Sequence, residues 1–71
     1  MTNTKLLEKV INESGYKKSF LAEKLKITPY ALALKIRNET EFKASQIDIM
    51  CQLLDIDVDA RMNIFFAQNV D

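Results

Sequence analysis

The sequence predicts an all-α fold of about five short helices, and three observations carry that prediction. Gly15 and Pro29 are the only glycine and the only proline in 71 residues, so the frequent turn punctuation of a β-protein is missing. Apolar residues recur at three- and four-residue steps, whereas two-residue alternation is confined to Asp55-Ile56-Asp57-Val58-Asp59. No linker, repeat or low-complexity segment divides the chain, so residues 1–71 read as one domain. A chain this small buries only about 60% of its unfolded surface and depends on well-packed helices or an oligomer.

The first helix is expected from Thr4 to Ser14, with Leu6, Leu7, Val10 and Ile11 on one stripe. Gly15 supplies its left-handed stop. The second runs from Lys18 to Leu25 and turns Leu21, Ala22 and Leu25 inward. After Lys26-Ile27-Thr28 the third begins, capped by Thr28 and opened by Pro29, whose missing N–H costs nothing there. Leu32 and Ile36 are its inward anchors, and Asn38 is its left-handed exit. Ser45-Gln46-Ile47-Asp48 resembles a capping box, so the fourth helix is expected after Ser45, with Ile47, Met50, Cys51 and Leu54 buried. Asp57 caps the fifth, which carries Val58, Met62, Ile64, Phe65 and Phe66. These are too many large side chains for one stripe, and Met62 and Phe66 are the candidates for a homodimer surface.

Composition excludes several classes. There is no histidine and only one cysteine, Cys51, so an internal disulfide, the common zinc sites and a Ser-His or Cys-His nucleophile pair are all ruled out within one chain. Asp55, Asp57 and Asp59 imitate the start of a calcium loop, but Ala60 and Phe66 occupy the positions that need Gly and Glu. Glu39 and Glu41 stand close together with no nucleophile near them, and no enzyme reading survives. No cofactor, metal or small-molecule substrate is implied. The start MTNTKLLEKV has no apolar signal region and no run spans a membrane, so a cytoplasmic location is expected.

Ten Lys plus Arg balance ten Asp plus Glu, but the zero conceals a division. Residues 1–37 sum to plus five and residues 38–71 to minus five. Such asymmetry points to an anionic partner for the basic half, or to solvated faces that segregate by chance.

Residues 18–38 hold the informative pattern: two short helices, a three-residue turn and a cap with proline, the layout of a helix-turn-helix. LAEKLKITPYALALKIRN resembles the Cro/C1-type family, also called XRE or lambda-repressor-like, through Leu21-Ala22-Glu23-Lys24-Leu25, Ile27-Thr28, Leu32 and Ile36. The segments EFKASQI and IFFAQNVD are further similar to small Cro-like and modulator proteins of temperate phages of Gram-positive bacteria. The resemblance implies a compact five-helix lambda-repressor-like domain in a bacterial cytoplasm, acting as a dimer on operator DNA in a phage-like genetic switch. Carried onto this chain, the base-facing positions are Pro29, Tyr30, Ala33 and Leu34, and the phosphate-facing ones Lys17, Lys18, Lys35, Arg37 and Lys43.

The sequence departs from the family pattern in chemistry. Bidentate readout of purines needs Arg, Lys, Asn or Gln at base edges, and this third helix offers Pro, Tyr, Ala and Leu. Asn38-Glu39 stands where Gly-Lys is common, and Lys26 takes a turn position usual for Gly. Phe20 either lies over Lys24 at the edge of the core or joins Tyr30, Ala33 and Leu34 in an apolar patch rimmed by lysines. That patch suits a protein, so the alternative is a modulator or antirepressor that grips a partner phage repressor.

Overall fold

The computed structural model describes residues 1–68; Asn69, Val70 and Asp71, which end the IFFAQNVD segment, lie outside the described residues. The protein is all-helical, with α1 at Thr4–Ser14, α2 at Lys18–Leu25, α3 at Pro29–Ile36, α4 at Ala44–Leu53 and α5 at Val58–Phe65. Local chemistry accounts for most boundaries. Gly15 ends α1 at φ 78°, and Thr28 Oγ1 accepts from the Ala31 N–H at 3.0 Å to open α3. Asp57 Oδ1 does the same for Ala60 N–H at 2.8 Å in α5, where Asp59 in the first turn also faces the positive end of the helix dipole.

The start of α4 corrects the expectation. Lys43, not Ser45, is the N-cap, and Ser45 lies inside the first turn. Gln46 Oε1 reaches back to accept from the Lys43 N–H at 2.8 Å. This is the reciprocal half of a capping box, and it tolerates any residue at the cap. A lysine side chain has no acceptor with which to complete the other half.

Among the described residues, thirteen buried apolar side chains form one cluster that draws on every helix. α2 packs on α3 and α4, while α1 packs on α3 and α5. Leu7, Ile11, Leu21, Leu32, Met50 and Ile64 are the largest wholly buried side chains, each contributing about 1.5–3 kcal/mol by leaving water. Phe65 belongs to this core and meets Phe42 edge-to-face at 5.4 Å, so part of the apolar surplus on α5 closes the interior.

The N-terminal residues tie the assembly together. Asn3 Oδ1 caps α1 by accepting from Leu6 N–H at 3.1 Å, and Asn3 N–H donates to the Ile64 carbonyl at 2.6 Å. Asn38, at φ 67°, accepts from the Thr2 N–H through Oδ1 at 2.7 Å and returns a bond from Nδ2 to the Thr2 carbonyl. Thr4 Oγ1 adds a bond to the Ile36 carbonyl at 2.6 Å. The exit of α3 is thereby clamped to the beginning of the chain.

Cys51 is buried on the inner face of α4. Burial pushes its thiol above the usual range; Arg61 pulls it down and Asp48 pushes it up further. Because the thiolate is the reactive form, iodoacetamide at neutral pH is expected to leave Cys51 unmodified in the folded protein and to alkylate it fully in denaturant. Intact-mass analysis distinguishes the two, and rapid alkylation without denaturant would contradict that burial.

Candidate functional site

Leu32 and Ile36 are buried, and their anchoring fixes the rotation of α3. Tyr30, Ala33, Leu34 and Arg37 follow at i, i+3, i+4 and i+7, which places them together on the opposite face. Pro29 and Tyr30 are exposed, Tyr30 to 71%, while Ala33 and Leu34 are half-buried. Three of the four residues expected to meet a base or a partner, Tyr30, Ala33 and Leu34, therefore share one surface, with Tyr30 its most prominent member. Pro29 is exposed at the start of the helix, to one side of that stripe.

The helices on either side of the turn are held by backbone geometry. Lys26 adopts a left-handed conformation at φ 59°, and its N–H donates to the Ala22 and Glu23 carbonyls. Such a backbone costs a non-glycine residue about 1 kcal/mol. At the other end, the Leu34 carbonyl accepts from the Glu39 N–H at 2.9 Å. That bond brings the Glu39 side chain back beside the helix it follows.

The cations expected to face phosphate divide into two groups. Lys18 Nζ lies 2.8 Å from Glu8 Oε1 and 3.0 Å from Oε2, and Arg37 Nε lies 2.9 Å from Glu39 Oε2. Lys35 Nζ donates to the Glu41 carbonyl at 2.8 Å. Lys17 caps α2 and Lys43 caps α4 through their backbones, and neither side chain forms an ion pair among the described residues. Lys17 and Lys43 thus remain free for an outside anion, whereas Lys18 and Arg37 are each held by a carboxylate and Lys35 by a backbone carbonyl.

Phe20 is partly buried against the core, with Lys24 Nζ 5.4 Å above its ring. Phe20 thus sits at the edge of the core beneath Lys24. Tyr16, to which the sequence assigns no role, stacks on Phe20 with ring centroids 5.1 Å apart and stays exposed. Its four-residue spacing from Phe20 across the start of α2 is the signal that points to it. Such a pair contributes about 0.5–1.5 kcal/mol beyond its area.

Val58 and Met62 are exposed one turn apart on α5, and Phe66, exposed as well, lies just past the end of the helix at φ −126°. A depression of about 280 Å3 lined by Met1, Thr2, Asn38, Glu41, Phe42 and Phe65 includes no residue of the α3 face. Among the described residues, no helix is long and apolar enough to cross a membrane.

No family model, curated protein or solved structure matches the chain, so the likeness to the Cro/C1 family rests on the residues quoted for it.

Proposed function

We propose that the protein is a small helix-turn-helix regulator of a phage-like genetic switch. In this reading α2 and α3 form the motif, and the exposed first turn of α3 enters the major groove of operator DNA. The single observation that carries it is a short helix with Tyr30 projecting outward, pre-set by the Thr28 cap and Pro29. Lys17 and Lys43 flank that surface as phosphate contacts, Lys18, Lys35 and Arg37 stand beside them held by internal acceptors, and Met62 and Phe66 serve a symmetric dimer. An operator contact of this kind depends steeply on salt because each neutralised phosphate releases counterions.

A second reading is favoured by the ion pairs of Lys18 with Glu8 and Arg37 with Glu39, and by the apolar chemistry of Tyr30, Ala33 and Leu34. In it the same surface grips a partner repressor, and the protein acts as a modulator or antirepressor.

Salt titration and association measurements separate the two readings. For operator DNA, changing Lys17 and Lys43, the expected phosphate contacts that form no ion pair among the described residues, to Ala is expected to flatten the log–log dependence of affinity on salt, by about 0.9 for each phosphate no longer neutralised. For a repressor, Leu34→Glu is expected to abolish co-purification by placing an unpaired charge in an apolar contact. Failure of the wild-type protein to bind either its own promoter region or the neighbouring repressor would refute both.

A further inference from the structure

We infer that Glu8 and Glu39 determine the ligand class of the α3 face, by occupying the positions from which Lys18 and Arg37 would otherwise meet phosphate. This rests on the reading of that face as the ligand-binding surface, but not on which ligand it takes.

The two pairs have a common design. Lys18 opens α2 and is met by Glu8 from α1, with Nζ 2.8 and 3.0 Å from the two carboxylate oxygens. Arg37 ends α3 and is met by Glu39 from the following turn, at 2.9 Å. Each carboxylate belongs to an element flanking the α2–α3 unit and reaches back to a cation at one of its ends. All four side chains are substantially exposed, at 49% and 37% for the first pair and 56% and 57% for the second. Exposed pairs of this kind add little to stability. Their larger consequence is electrostatic: a neutralised cation releases no phosphate counterion, and its carboxylate repels an approaching phosphate. The turn that carries Glu39 is held by Asn38, which is tied to Thr2 through two hydrogen bonds. The backbone that carries Glu39 is therefore held in place next to Arg37.

The surface is consequently tuned away from polyanions. Lys17 and Lys43 are left to provide a modest attraction, and discrimination passes to Tyr30 and Leu34.

The test compares the wild-type protein with E8Q/E39Q on a mixed-sequence 20-base-pair duplex, followed by fluorescence anisotropy across a salt series. A control, E13Q/D55N, makes the same net-charge change at exposed sites that form no ion pair among the described residues. E8Q/E39Q is expected to bind the duplex at least about tenfold more tightly than the control at a given low salt concentration. Its log–log salt slope should steepen by about 1–2, as expected when one or two further phosphates are neutralised. Adding K18A and R37A to E8Q/E39Q should remove the gain. A change no larger than that of the control, or a gain that survives removal of Lys18 and Arg37, would overturn the inference. If the wild-type protein binds no operator and E8Q/E39Q nevertheless gains duplex affinity, operator binding falls and the role of Glu8 and Glu39 stands.

Discussion

Asn38→Ala is expected to destabilise the protein by about 3 kcal/mol, through left-handed backbone strain and the removal of two hydrogen bonds. The residue sits at φ 67°, where alanine is disfavoured and asparagine is among the few tolerated side chains. Its amide also bonds both backbone groups of Thr2, which is itself buried. Removing the amide leaves a buried N–H and carbonyl without those partners, and each bond contributes about 0.5–1.5 kcal/mol. For a chain of this size the total stability is on the order of 4–10 kcal/mol, so the loss is a large fraction. It should lower the melting temperature by roughly 15 °C.

Asn38→Gly separates the two causes. Glycine accepts the positive φ without strain but makes neither side-chain bond, so its expected cost is about 1–2 kcal/mol. Denaturant titration of the three proteins is sufficient. Equal losses for alanine and glycine would show that backbone strain contributes nothing, and alanine within about 0.5 kcal/mol of wild type would show that the clamp is energetically idle. The same position sets the turn that carries Glu39 beside Arg37.

That clamp marks where the sequence stops being legible. The ends of α1 and α3 and the cap of α5 are readable because each depends on neighbours in the chain: Gly15, Thr28 with Pro29, and Asp57. The inward faces are equally readable, since Leu21, Leu25, Leu32, Ile36 and Met50 recur at helical spacing and are all buried. The start of α4 misleads because Ser45 is an attractive cap in isolation. Gln46 instead satisfies the Lys43 N–H, and a reciprocal bond needs no special residue at the cap. The bonds between Asn38 and Thr2 span 36 positions, and polar residues without periodicity give no sign of such a meeting.

The candidate site divides in the same way. The shared face of Tyr30, Ala33, Leu34 and Arg37 follows from helical geometry once Leu32 and Ile36 are known to be inside. The charge halves also follow from counting. Which carboxylate meets which cation does not, because Glu8 and Lys18 are ten residues apart on different helices. Lys18, Lys35 and Arg37 thus read as free cations in the sequence, while folding gives each an internal acceptor.

Tyr30→Ala is expected to weaken ligand binding by about 2 kcal/mol or more, roughly 30-fold, whichever ligand the α3 face takes. Tyr30 is 71% exposed and outside the buried cluster, so its truncation should leave stability within about 0.5 kcal/mol of wild type. A loss of binding would then reflect the surface and not the fold. The side chain has two means of contact: its ring offers apolar area to a thymine methyl or a protein pocket, and its hydroxyl offers a hydrogen bond. Tyr30→Phe keeps the first and removes the second. If the hydroxyl reads a base edge, phenylalanine should lose sequence discrimination while retaining nonspecific affinity. If the ring fills an apolar pocket on a repressor, phenylalanine should bind nearly as well as tyrosine. Promoter titration and repressor co-purification with both variants, alongside thermal melts, resolve these outcomes. Wild-type binding by Tyr30→Ala at unchanged stability would remove the first turn of α3 from the functional surface altogether.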